Sequence, residues 1–240
     1  MPLALVTGGA AGLGLATAEA ALARGYRVAS LDLLPAPERP GLVSLIGDVT
    51  DPASIDAALA ALDSVPDLLV NNAGIVRFAP LLDTTTADFA RTIAINLTGA
   101  FTVARAVAAR MIPRGSGVIV NITSIGGIQT SPGTNAYAPA KAGLAALTEL
   151  MALEWAPLGL RVNSVAPGMI YGGMSSSVYA DEGTRQRRAS AVPARRLGTE
   201  ADIAEAVMFL ASDGASYVNG HQLVVDGGVT RATMAMIPRG

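Results

Sequence analysis

The stretch LALVTGGAAGLG at positions 3–14 decides the fold. An apolar run ends in a glycine-rich turn, and the chain then takes up helical periodicity from Gly12 to Gly25. A strand that feeds a helix through glycines leaves the helix amino end bare, and unpaired backbone N–H groups there attract anions. Gly8, Gly12 and Gly14 let the backbone turn sharply and approach a pyrophosphate. Their spacing is G-x-x-x-G-x-G, not the commoner G-x-G-x-x-G. About 20 residues further on, where a carboxylate accepts hydrogen bonds from an adenosine ribose, stands Asp32. Its charge would repel the 2′-phosphate of NADP, and no basic residue stands just before Gly12 to attract one. NAD is the expected cofactor.

Beyond this unit, short Val/Ile/Leu runs alternate with longer Ala/Leu-rich stretches. Strands are expected at Pro2–Thr7, Arg27–Leu31, Leu42–Ile46, Leu68–Asn71, Val118–Ile122, Arg161–Val165 and Gln222–Val225. Helices are expected from Gly12 to Gly25, from Asp51 (as cap) to about Asp63, and from Thr86 to about Ile112. Two more are expected from Asn135 to Trp155 and from Thr199 to Ala211. Strands apolar throughout belong to a sheet covered on both faces, and strand–helix repetition winds such a sheet parallel with right-handed crossovers. The fold class is therefore α/β, a single doubly wound parallel sheet of about seven strands over residues 1–240. The proline-rich PAPERPG at 35–41 is too short and rigid for a full helix. The segment 169–198 is the least regular and reads as a substrate lid, and 229–240 as a C-terminal tail.

Composition narrows the function. With 17 basic and 19 acidic residues the net charge is −2, against the clustered basic excess of nucleic-acid binding. The absence of cysteine excludes disulfides and thiolate metal sites, and the single His221 leaves a histidine metal cluster or a Ser-His-Asp triad little to draw on, so no metal is expected. No basic residue precedes Arg24 and no apolar run of about 20 residues stands out, so no membrane partner is expected and a cytoplasmic location is.

Tyr137 and Lys141 are four apart on an expected helix and share a face, and Ser124 ends the fifth strand, at the carboxyl edge where open sheets bind ligands. A tyrosine titrating near 10 is a poor base at neutral pH. An ammonium beside it favours the phenolate, while Ser124 can hold a substrate oxygen.

TGGAAGLG at 7–14, NNAG at 71–74, Ser124, the Y-x-x-x-K of Tyr137–Lys141 and PG at 167–168 together resemble the short-chain dehydrogenase/reductases, in order and spacing over essentially the whole chain to VDGG at 225–228. The resemblance implies a Rossmann-type domain and hydride transfer between NAD(H) and a secondary alcohol or ketone. It places the general acid/base on Tyr137, the ribose-binding lysine on Lys141, the orienting serine on Ser124 and the proton-relay asparagine on Asn96. For the cofactor it implies Leu13 beside the glycines, Leu33 beside Asp32, and the adenine-contacting pair Asp48 and Val49. Asn72, Ala73 and Gly74 then lie along the adenosine, and Pro167, Gly168 and Ile170 beside the nicotinamide. It also implies a homo-oligomer, dimer or tetramer, built on long helices whose alanine-rich faces include Ala142, Ala145 and Ala146. One position departs: Gly172 stands where the family commonly has a threonine on the carboxamide, and Ser175 to Ser177 follow as substitutes.

Two other readings compete. DVTDPASI at 48–55 and RLGTEADIA at 196–204 are similar to 3-oxoacyl-thioester reductases, whose usual NADPH Asp32 opposes. A non-catalytic dinucleotide sensor or scaffold would have no need of Asn96, Ser124, Tyr137 and Lys141 together. Arg185, Arg187, Arg188, Arg195 and Arg196 make the lid basic, read as a solvated face, or more sharply as attraction for an acidic substrate. His221 is read as a structural or surface residue, and Trp155 as a packing or subunit-contact residue.

Overall fold

In the computed structural model, which describes residues 1–176 and 178–232, seven parallel strands form one sheet. They are β1 (Leu3–Thr7), β2 (Arg27–Asp32), β3 (Leu42–Ile46), β4 (Leu68–Asn71), β5 (Gly117–Ile122), β6 (Leu160–Pro167) and, last along the chain, Gln222–Val225. Helices α1 (Gly12–Ala23), α2 (Pro52–Ala60), α3 (Thr86–Ile93), α4 (Ala100–Met111), α5 (Tyr137–Trp155), α6 (Glu182–Ala191) and α7 (Glu200–Ala211) connect them. A separate two-stranded ladder pairs β7 (Ile170–Tyr171) with β8 (Gly198–Thr199), so Gln222–Val225 is β9. The order β3-β2-β1-β4-β5-β6-β9 changes direction between β1 and β4. That switch opens a crevice above the strand carboxyl ends.

The sheet separates two apolar layers. On one side α2, α4 and α5 cover Leu5, Leu31 and Ile119 with Ile55, Val107, Met111 and Met151. On the other, α1 and α7 cover Val6, Val28 and Val120 with Ala18, Ile203 and Val207. A fully buried aliphatic side chain contributes roughly 1.5–3 kcal/mol, so these layers hold the crevice rigid. Trp155 packs against the first layer, and His221 is exposed, as expected of both.

Several expectations need correction. The helix expected from Asn135 begins at Tyr137, because Asn135 has φ +38° and cannot be helical. The helix from Thr86 holds a π-helical turn over residues 94–99 between α3 and α4. Within the continuous helical stretch Thr86–Arg114, one 18-residue window is long and apolar enough to cross a membrane, at mean hydropathy 1.4. The stretch lies instead along the sheet with Val103, Ala104, Val107, Ala108 and Met111 buried; interspersed arginines hid its apolar character in the sequence. The segment 169–198 is more regular than expected, containing α6 and one strand of the β7–β8 ladder. The link 35–41 forms no helix, as expected. Ser177 and tail residues 233–240 lie outside the described residues.

Candidate active site

The turn after β1 is fastened to the end of β4. The Thr7 hydroxyl accepts from the N–H groups of Asn72 and Ala73, both at 3.0 Å. The Asn72 amide donates to the carbonyls of Thr7 and Gly8, both at 3.0 Å. Asn72 thus holds the glycine turn shut. Gly14 is required by close approach: a Cβ there would stand 2.0 Å from the Gly8 carbonyl oxygen and 2.5 Å from Asn72 Nδ2. Gly14→Ala is expected to cost about 1–3 kcal/mol through overpacking, read as a lower Tm. A variant that melts with the native protein would show that the turn is not so packed.

Asp32 ends β2 with its Oδ2 accepting from Ala10 N–H at 3.1 Å and its Oδ1 from Leu34 N–H at 3.2 Å. It lies on the wall of a cavity of about 680 Å³ that runs along the strand ends to Ser124, Tyr137 and Lys141. Gly8, Gly12, Leu13, Leu33, Asp48, Val49, Asn72, Ala73, Gly74, Pro167, Gly168 and Ile170 line the same cavity. Asp48 also closes a local turn, accepting from the Thr50 N–H and hydroxyl at 2.8 Å each.

At the other end, Ser124 caps a short 3₁₀ turn, its Oγ accepting from Gly126 N–H at 3.0 Å. Tyr137 is the first residue of α5 and Lys141 stands one turn on. The Lys141 ammonium is 5.7 Å from the centre of the Tyr137 ring and donates to the Ile122 carbonyl at 2.7 Å. Two buried asparagines fix the register of α5 on the sheet: Asn71 donates to Asn121 Oδ1 at 3.0 Å, and Asn121 to Thr148 Oγ1 at 2.9 Å.

The electrostatics differ from expectation. Lys141 is buried, and desolvation brings its pKa down from 10.5 to about 8. Burial likewise raises the Tyr137 phenol above its ordinary value, opposed by a hydrogen bond with Ser124. The neighbouring ammonium does not hold Tyr137 low in this state, because desolvation of the phenolate dominates.

Two expected residues lie behind the wall rather than on it. Gly14 backs the turn. Asn96 is fully buried in the π-helical turn, its amide donating to the carbonyls of Ile75 at 2.9 Å and Thr92 at 3.0 Å. Its Oδ1 has no hydrogen-bond partner and points at Gly74, where a Cβ would stand 2.5 Å from it and 3.6 Å from Lys141 Nζ. Single-turn π-helical interruptions collect at functional sites.

Glu200, Thr50 and Arg91 also line the cavity, unforeseen in the sequence. Nothing in the spacing of TEADIA at 199–204 distinguishes Glu200 from an ordinary first-turn acid. The arginines of the segment 169–198 are largely matched by local groups. Arg196 is bidentate to Asp202 at 2.7 and 2.8 Å, Arg185 pairs with Glu182, and Arg187 lies 3.8 Å from Asp181. That pattern suits a solvated face.

A bare helix amino end, a carboxylate at the second strand's end and a tyrosine–lysine pair in one continuous cavity fit a nicotinamide dinucleotide. Residues 8–230 match the family described as enoyl-(acyl carrier protein) reductase. The 2-(R)-hydroxypropyl-CoM dehydrogenase of Xanthobacter autotrophicus is 40% identical over 245 residues, covering 95% of this chain and 98% of that one. A solved dehydrogenase from Agrobacterium tumefaciens with bound NADP superposes with TM-score 0.89 at 35% identity, over 96% of each chain. A 4-hydroxyisoleucine dehydrogenase complexed with NADH superposes with TM-score 0.91 at 29% identity, over 96% of this chain and 99% of that one. With the family matched over most of its length and full-length dehydrogenase relatives, this chain belongs to the short-chain dehydrogenase/reductases.

Proposed function

We propose that the protein oxidises a secondary alcohol, or reduces the matching ketone, with NAD(H) as hydride partner. The observation that carries this reading is the convergence of Ser124, Tyr137 and Lys141 on the cavity that begins at the α1 amino end. The dinucleotide, when bound, supplies or accepts the hydride. Gly8, Gly12 and Leu13 would cradle its pyrophosphate, Asp32 and Leu33 its adenosine ribose, and Asp48 and Val49 its adenine. Asn72, Ala73 and Gly74 would flank the adenosine, and Pro167, Gly168 and Ile170 the nicotinamide.

Ser124 holds the substrate oxygen and Tyr137 gives or takes its proton. A phenol kept neutral by burial is ready to act as the acid in reduction and needs alkaline pH to act as the base in oxidation. Lys141 supplies positive charge beside the phenol and binds ribose. The unpartnered carbonyl of Asn96 beside Gly74 and Lys141 would anchor the proton relay by accepting a hydrogen bond from it. Dehydrogenase relatives support a hydroxyl-bearing substrate. An NAD(P)-linked screen over hydroxy-steroids, sugars, hydroxyacyl thioesters and simple secondary alcohols tests the reading. Turnover of none of them, with no dinucleotide bound, would sink it.

The preference for NAD rests on Asp32. NADH is expected to bind at least about tenfold tighter than NADPH, since a carboxylate at the ribose repels a second anion. Asp32→Ser should erase most of that difference. Fluorescence titration of both nucleotides checks it, and tighter NADPH binding in the native protein would favour the second reading, a 3-oxoacyl-thioester reductase. The enoyl-(acyl carrier protein) reductases of the matching family share an acyl-thioester substrate with that alternative, though they reduce a carbon–carbon double bond and not a ketone.

The chain is read as one domain over 1–240 with 169–198 as lid, acting in the cytoplasm as a dimer or tetramer. Exposed Ala142 and Ala146 on α5, with Leu150 and Leu153 at 51% and 77% exposure, support an association through that helix.

A further inference from the structure

The cavity wall carries one carboxylate that the chemistry above does not use. Glu200 is the first residue of α7 and partly buried. The cap of α7 is complete without it, because Thr199 accepts from Asp202 N–H at 3.2 Å while Asp202 accepts from Thr199 N–H at 2.7 Å. Asp202 also takes the nearby guanidinium of Arg196. Among the described residues Glu200 has no hydrogen-bond or ion-pair partner.

Its carboxylate is packed instead against the glycines of the cavity. Glu200 Oε1 lies 2.5 Å from where a Cβ on Gly172 would stand, and 3.5 Å from the same point on both Gly12 and Gly173. Gly172 has φ +132°, so a side chain there is barred both by its backbone and by Glu200. The position where the resemblance led us to expect a threonine is filled by the carboxylate of another element. An unpaired carboxylate therefore stands on the cavity wall between Gly12, at the α1 amino end that attracts a pyrophosphate, and Gly172 and Gly173.

We infer that Glu200 is an electrostatic discriminator of the cofactor's redox state, favouring the oxidised, cationic nicotinamide over the reduced, neutral one. The inference rests on the dinucleotide reading above. For hydride to pass to a carbon held by Ser124 and Tyr137, the redox-active ring must lie between those side chains and the pyrophosphate at α1. Glu200 lines the cavity at the α1 end of that stretch, beside Gly12 and Gly172. Its repulsion of the pyrophosphate is common to both redox forms and cancels in their ratio. The attraction to a pyridinium charge does not cancel. Lys141 and Arg91, the cations on this wall, are likewise unchanged between the variants compared, so the ratio isolates Glu200.

The test is binding, not turnover. NADH affinity is read by fluorescence titration and NAD⁺ affinity by calorimetry, in parallel with NADPH and NADP⁺, for the native protein, Glu200→Gln and Glu200→Ala. Both substitutions should shift the ratio of dissociation constants toward the reduced form by on the order of three- to tenfold, as expected for loss of one unit charge near another in a partly screened site. Both reduced forms should also bind more tightly in absolute terms. An unchanged ratio in either variant, with both nucleotides still bound, overturns the proposal. So does a shift in Glu200→Gln that Glu200→Ala lacks, since that would report a hydrogen bond and not a charge. Failure of the native protein to bind any dinucleotide would defeat the underlying reading, and this inference with it.

Discussion

Tyr137→Phe is expected to lower kcat by about a hundredfold to ten-thousandfold, the range contributed by a positioned general acid or base. The substitution removes one oxygen from the first residue of α5 and leaves the ring, so the packing beside Lys141 survives. NADH binding and Tm should stay near native values. A second readout separates proton transfer from mere positioning. Burial holds the phenol above its ordinary value, so native alcohol oxidation should climb with pH into the alkaline range as the phenolate forms. Ketone reduction should weaken over the same range. The residual activity of Tyr137→Phe should show neither limb. A variant as fast as the native enzyme on a substrate that turns over would remove Tyr137 from the chemistry.

Lys141→Met should separate activity from stability. Activity is expected to fall by about a hundredfold or more, because the positive charge beside the phenol is gone. Stability should respond in the other direction. Desolvation brings the native-state pKa from 10.5 to about 8. At about 1.4 kcal/mol per tenfold, the folded chain forgoes on the order of 3 kcal/mol at pH 7 to keep this ammonium. Methionine removes that penalty but leaves the Ile122 carbonyl, now 2.7 Å from Lys141 Nζ, without its donor, at about 1–3 kcal/mol. The net at pH 7 is a Tm unchanged or raised.

The sign with pH is the sharper test. Between about 8 and 10.5 the unfolded chain still holds the lysine proton while the native chain has released it. The unfolded state therefore binds more protons, and native stability rises with pH through that window. Urea unfolding at pH 7 and pH 10 should show the native protein gaining roughly 2–3 kcal/mol relative to Lys141→Met across the interval. No gain would mean that Lys141 is not desolvated in solution.

The remaining comparison runs between what local sequence can encode and what it cannot. Residues 3–14 specify strand, turn and helix by themselves, because an apolar run, glycine spacing and helical period are properties of neighbours. Tyr137 and Lys141 are legible for the same reason: four residues on a helix share a face whatever surrounds them. Asp32 and Ser124 follow from being at strand ends, once the strands are recognised. These assignments all rest on separations of a few residues or on one element's boundary. Asn135 shows the limit, since its positive φ truncates a helix that the composition would have continued.

Tertiary structure decided the rest. The β7–β8 ladder joins residues 170–171 to 198–199, and two-residue strands carry no periodicity to read. The direction of the Tyr137 shift depends on how much water is excluded, a sum over several elements. Asn96 proved to be behind the wall, and Asn71, Asn121 and Thr148 to meet in the core, because strand order set their distances. Glu200 reaches Gly12 across a chain separation of 188 residues, and nothing local marks it. Sequence determined which chemical groups the protein possesses and the elements that present them; desolvation and long-range contact, which arise only when separate elements pack, decided how those groups are charged and which of them face the cavity.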